Sequence, residues 1–265
     1  MGRYRLPPST QIDEAIEAAR DLRRNWRSYA GLVPTKHVVR ADTRVGPDRP
    51  RAVSPEAQPG VTLLTGLFDN EVSAILVGLD GTELHRWPIR FHEVWGEAAH
   101  LGPAEVPFND WDTMIHGIVL FPNGDIVFNL EDRGLARMDR CGEVLWRLPY
   151  RTHHAVTMDE AGKLWVMGLK EPSTERDPRF PGLFPPYRHE TILQVDPDSG
   201  RILQEISLLE VIYRSRYEGV LFADGSEWPG DRTRGVTDPL HANHVEVLDS
   251  RLATAGYGTA LGIYT

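Results

Sequence analysis

Apolar residues recur at every second position through most of the chain from residue 61 onward, the period of a strand with one face buried. VTLLTGLF, SAILVGLD and TELHRWPI read as short strands, with Asp80-Gly81 turning the last pair. Between Ile115 and Gly168 one pattern occurs twice. His116 precedes Ile118, Leu120 and a turn at Gly124, and His154 precedes Val156, Met158 and a turn at Gly162. The strands DIVFNL and KLWVMG return from those turns, so each unit is a hairpin with a polar residue just outside its first strand. Asp139 to Trp146 and Asp196 to Gln204 repeat the theme of an Asp and a Gly opening a turn before an apolar strand, and Trp87 and Trp146 are placed to pack between neighbouring units. Asn243-His244-Val245-Glu246-Val247 begins a third such strand. Repeated antiparallel units of this kind predict an all-β fold, a β-propeller whose inner strands converge on one axis. Three blades are expected, the first incomplete, with the start of another.

Residues outside this pattern predict an appendage and two insertions. Residues 9–30 read as a helix: Pro7-Pro8 precede it, Ser9 or Thr10 caps it, and Ile12, Ala15, Ile16, Ala19, Leu22, Trp26 and Tyr29 form one apolar stripe. That face is expected to dock on its own β-domain. Residues 40–60, rich in Pro, Arg, Asp and Gly, read as a linker. The predicted domains are therefore 1–58, an N-terminal α-helix with its linker, and 59–265, a partial β-propeller. Residues 170–190 hold five prolines and join two strands of one blade, the length of a lid or binding loop; Phe180, Phe184 and Tyr187 there either face an aromatic ligand or pack on the sheet. Residues 208–222 read as a short helix, followed by a polar loop.

Composition narrows the partners. A formal net charge of -9, with no block of Lys or Arg, argues against nucleic acid. Cys141 is the only cysteine, which excludes an internal disulfide and a thiolate metal cluster. No apolar run is long enough to span a membrane, and no secretory signal is recognisable at the N-terminus. The chain as written is expected in the cytoplasm, or in the periplasm or on a membrane anchor if its N-terminus is incomplete. Nothing in it predicts an oligomeric state.

The candidate chemistry follows from register. His116, His154 and Asn243 hold the same place in their repeats, and His241 lies two residues before Asn243, on the same side of a strand. Radial blades would bring these four side chains to one mouth of the channel. Such a cluster can bind an anion, act in acid–base or nucleophilic catalysis, or hold a metal. Matching Asp and Glu positions are missing and no HxH or HExxH spacing occurs, so neither a metal nor a cofactor is predicted. His153 is expected to point away from the cluster. His37, His85, His92, His100 and His189 follow no pattern and read as surface or packing residues.

The run IHGIVLFPNGDIVFNLEDRGLARMDRCGEVLWRLPYRTHHAVTMDEAGKLWV, followed by DPLHANHVEVLD, resembles the bacterial arylsulfotransferase family over most of residues 60–250. The resemblance implies a six-bladed propeller, here incomplete at about three to four blades. It implies transfer of a sulfuryl group from an aryl sulfate to a phenolic acceptor through a transiently sulfated histidine, without 3′-phosphoadenosine-5′-phosphosulfate. By motif, His154 matches the second histidine of the family's HH pair, and His241 and Asn243 match its H-x-N; the implied roles are binding the sulfate oxygens and stabilising charge as the S–O bond breaks. His116 joins them by internal register only. In the family, an anion-binding arginine and the histidine nucleophile follow the H-x-N motif. The sequence after Asp249 departs from that pattern. The expectation is a truncated or frame-altered piece of a longer protein, with transfer impaired. The alternatives are a non-catalytic propeller that binds a partner or ligand at its channel mouth, or a quinoprotein-like propeller.

Overall fold

The alternating segments fold as three antiparallel meanders of three, four and four strands. The computed structural model describes residues 58–103, 105–171, 175–223 and 238–254, with positions 15, 16, 19, 22, 23, 26, 27, 30, 32 and 56. It divides into two units, Met1–Met114 and Ile115–Thr265.

In the first unit, β1 (Val61–Phe68), β2 (Glu71–Gly78) and β3 (Glu83–Pro88) form one sheet in that order. Asp69 and Asn70, both at positive φ, make the two-residue turn that suits the right-handed twist of a hairpin. Asp80 closes the second turn, its carboxylate accepting from the Thr82 backbone N–H at 2.9 Å and the hydroxyl at 2.7 Å. Trp87 is buried with His85 against its edge, and α1 (Phe91–Trp95) buries Phe91 and Val94. The described positions within 9–30 that carry the predicted helix are helical at 15, 16, 19, 22, 23, 26 and 27. Their apolar side chains are not covered as expected: Ile16, Leu22 and Trp26 are each about half exposed. Residues 40–55, most of the predicted linker, lie outside the described residues.

The second unit holds two four-stranded sheets. The first runs β4 (Ile115–Leu120), β5 (Ile126–Leu130), β6 (Gly134–Met138), β7 (Val144–Leu148); the second runs β8 (Thr152–Met158), β9 (Leu164–Lys170), β10 (His189–Val195), β11 (Ile202–Ser207). Val127, Leu135, Trp146 and Leu148 of the first pack on Val156, Leu164, Val166, Leu193 and Val195 of the second. Each such side chain, fully buried, contributes roughly 1.5–3 kcal/mol. Trp146 does pack between the sheets: its indole N–H donates to the Pro197 carbonyl at 2.8 Å, and its ring fills the space a Cβ on Gly200 would need. Arg137 joins the same seam, donating to Asp125 at 2.7 Å and to the Pro197 carbonyl at 2.7 Å.

Two sequence expectations are revised in this unit, and one left open is decided for two of its three rings. His116 and His154 lie inside β4 and β8 rather than just outside them. Residues 241–249 form no strand. They lie along β8 through Ala155 N–H to the Asn243 carbonyl at 3.3 Å and the Thr157 hydroxyl to the Val245 carbonyl at 2.7 Å, and one backbone bond does not make a ladder. In the proline-rich connection from β9 to β10, Phe180, Leu183 and Tyr187 are buried against Leu209 of α2 (Leu208–Ser215), leaving only the ring of Phe184 exposed, beneath the Arg176 guanidinium. No helix among the described residues is long and apolar enough to cross a membrane, which says nothing of a β-barrel.

Candidate functional site

Bulges aim the two repeat histidines. Ile115 pairs with Leu130 and Gly117 with Asn129, so His116 is an extra residue on β4. His153 pairs with Met167 and Val156 with Val166, so His154 and Ala155 are both extra on β8. A bulge bends its strand and re-aims a side chain. His154 carries the distortion, with φ at 56°, a left-handed conformation uncommon for a residue with a Cβ. The peptide groups freed by the bulge find other partners. The His154 carbonyl accepts from Asn129 Nδ2 at 2.6 Å, and the Ala155 N–H donates to the Asn243 carbonyl. Gly117 permits this approach, since a Cβ there would collide with the His154 carbonyl and the Val156 amide.

Three imidazoles meet as a result. The His116 and His154 ring centroids are 4.1 Å apart, and those of His154 and His241 are 5.5 Å apart. The His154 backbone N–H donates to His116 Nδ1 at 3.1 Å. An accepting Nδ1 has no proton, so the neutral His116 ring carries its hydrogen on Nε2. His154 is partly buried, and desolvation first, then the neighbouring His116 and His241, depress its pKa to about 4. Its ring stays neutral at physiological pH. Asn243 enters through its backbone carbonyl, and the residue is exposed.

The turn bearing His241 is held from beneath. Asp238 accepts from the His241 backbone N–H at 3.0 Å and pairs with ring Nδ1 at 2.8 Å. Arg188 bridges Asp238 at 3.5 Å and Asp132 at 3.3 Å. Glu190, almost wholly buried, accepts from the Ala242 N–H at 2.9 Å, and desolvation raises its carboxyl to about 7. His153 lies below the cluster, 1% exposed, with Nε2 3.9 Å from Glu190; burial lowers its pKa to about 4. Elsewhere His100 meets Trp95 and His189 meets Phe180 and Ser207, while His244 is exposed beside Glu246.

Sequence reasoning missed Asn129, Asp132, Arg188, Glu190 and Asp238. Two left a signal. Asn129 is the polar residue within the apolar strand DIVFNL, and Asp238 stands three residues before His241, where a short carboxylate hooks back to a backbone N–H. Asp132, Arg188 and Glu190 reach the cluster only through folding.

The arrangement brings the ring nitrogens of three imidazoles close together, with the His154 ring neutral at physiological pH. Among the described residues, no group of three or more His, Cys, Asp or Glu is placed to hold a metal ion. The model of the family described as arylsulfotransferase (ASST) matches residues 117–258, more than half of the chain. The chain belongs to the arylsulfotransferase family. The match takes in His154, His241 and Asn243, begins one residue after His116, and runs past Asp249. No curated protein matches. Among solved structures, this arylsulfotransferase-family chain aligns with a protein of unknown function from Bacteroides caccae at 15% identity and TM-score 0.34, over 57% of this chain and 41% of that one. It aligns with the quinohemoprotein alcohol dehydrogenase from Comamonas testosteroni at 9% identity and TM-score 0.34, over 56% of this chain and 20% of that one. The chain therefore spans less than half the length of either.

Proposed function

We propose that the protein is an arylsulfotransferase-type propeller protein that moves a sulfuryl group from an aryl sulfate to a phenolic acceptor through a histidine intermediate. The two four-stranded sheets of the second unit are successive blades in this reading, and β4 and β8 are their inner strands. One observation carries it: His116, His154 and His241, from separate segments, meet within 4.1 and 5.5 Å. A sulfate monoester presents three oxygens to be gripped and one S–O bond to be broken. Ring N–H groups of the cluster, His116 Nε2–H among them, bind the oxygens, and partial burial strengthens those bonds as charge passes to the leaving phenolate. His154, kept neutral, adds no cation that would hold the product sulfate too tightly. Asn243 fixes the β8 bulge through its carbonyl and so supports the position of His154. Family membership supports the sulfuryl chemistry, and donor and acceptor follow from it rather than from the geometry.

The test is turnover of p-nitrophenyl sulfate with and without phenol. Phenol-dependent release of p-nitrophenol, lost on the order of 10²-fold or more in His154→Ala, supports the function. Binding of the ester without release would favour a non-catalytic binding module instead.

A further inference from the structure

We infer that the proline-rich connection and the residues that follow it into β10 form a positioning platform for the His241–Asn243 motif, with Glu190 as its central positioning residue. What the motif does there rests on the transfer reading above; how it is held does not. Residues 241–249 form no strand, so their backbone groups find partners outside a ladder. Three holds on the motif come from residues 180–190. Arg188 meets Asp238 at 3.5 Å, and Asp238 in turn accepts from the His241 backbone N–H at 3.0 Å. Glu190, two residues on, accepts from the Ala242 N–H at 2.9 Å. Between these holds, Leu240 packs against the apolar cluster of Phe180, Leu183, Tyr187 and Leu209.

The length of the connection fits this task. In the first four-stranded sheet the second and third strands, β5 and β6, are joined by residues 131–133 alone. In the second, β9 and β10 are joined by 171–188. The short connection supplies Asp132, which pairs at 3.3 Å with Arg188 at the end of the long one. The extra length thus leads into an apolar cluster that takes Leu240 and two charged residues that take its neighbours. That is a support rather than a lid.

Glu190 is the decisive case. A buried carboxyl is costly unless it is hydrogen-bonded. This one is 1% exposed, and one of its oxygens accepts from Ala242, 52 positions on. Its other oxygen lies 3.9 Å from Nε2 of His153, itself 1% exposed and the neighbour of His154. Glu190 therefore touches the backbone of the H-x-N motif on one side and approaches the HH pair on the other. His241 needs such restraint, because a φ of 47° persists only where the surroundings fix it. The role requires an acceptor at that point, not a charge, so Gln can substitute and Ala cannot.

The test compares Glu190→Ala with Glu190→Gln in the full chain. The readouts are turnover of p-nitrophenyl sulfate with phenol and the ¹H–¹⁵N imidazole signal of His241. Glu190→Ala should lower kcat on the order of 10²-fold, the effect of a misplaced group, with KM little changed and the His241 signal moved. Glu190→Gln should restore most of kcat and return the signal. Leu240→Ala should act in the same direction as Glu190→Ala, by less. A folded Glu190→Ala with native kcat and an unmoved His241 signal would overturn the proposal. So would a folded Glu190→Gln as impaired as Glu190→Ala, which would make the charge the working feature. Amide hydrogen exchange in the native protein needs no variant: the Ala242 N–H should exchange slowly, and exchange at the rate of an open loop would overturn the proposal. A native protein that turns over no ester, yet protects Ala242 and shows the same His241 response to the variants, would overturn the transfer reading and leave the platform standing.

Discussion

Glu190 and the adjacent pair His153 and His154 titrate in opposing senses, and all are tied to the cluster. Both histidines ionise near 4 in the fold against an ordinary 6.5, and Glu190 near 7 against an ordinary 4.5. The stability contributed by the histidines is complete above pH 6.5 and is lost as pH falls through about 4. That of Glu190 is complete below pH 4.5 and is lost as pH rises through about 7. Two groups against one leave a net loss on acidification between 6.5 and 4.5, of roughly 1 kcal/mol per pH unit. Glu190→Gln keeps an oxygen for the Ala242 N–H but removes the opposing group, so the slope should about double. Urea midpoints at three pH values across that window check it, and an unchanged slope would place the ionisation elsewhere. His154 was legible because its repeat announces it. Glu190 was not, because a carboxylate beside Thr191 in an ordinary strand looks solvent-facing until Ala242, 52 positions on, is seen above it.

At the scale of elements, the bulges in β4 and β8 do what strict alternation cannot: they turn two polar side chains toward one another at the junction of adjacent sheets. The sequence shows their spacing, since His116 and His154 stand 38 positions apart, each eight before a turn glycine. It does not show the bulge, because an extra residue in a strand leaves no mark on composition. The same limit applies to 243–247, whose alternation is that of a strand but whose backbone shares only one hydrogen bond with the β8 backbone. Gly117 is where β4 and β8 come closest, its Cα facing the His154 carbonyl and the Val156 amide. Gly117→Ala would force the His154 carbonyl away from its Asn129 donor. The expected effect is a loss of about 1–3 kcal/mol from overpacking, together with reduced transfer, and thermal unfolding beside the turnover assay reads both. Full activity and stability would mean that the strands part at no cost.

Across the whole molecule, a net charge of -9 would repel an aryl sulfate at long range, so the proposed function requires the attraction to be local. The two sheets of the second unit provide the place for it, with a shared aliphatic core on one side of the β4–β8 junction and the imidazoles at the bulges. His116 stands just before the stretch that matches the family, yet its ring is the one nearest His154. The repeat register foretold that meeting, while the carboxylates and arginine supporting it come from residues 132, 188, 190 and 238 and had to await the fold. Whether the three rings act as one site can be measured by following their ¹H–¹⁵N imidazole signals while p-nitrophenyl sulfate is added. A single anion among them predicts that His116, His154 and His241 shift together along one binding curve, with His189 and His100 unmoved. Separate curves for the three, or a response confined to one of them, would contradict a shared sulfuryl site.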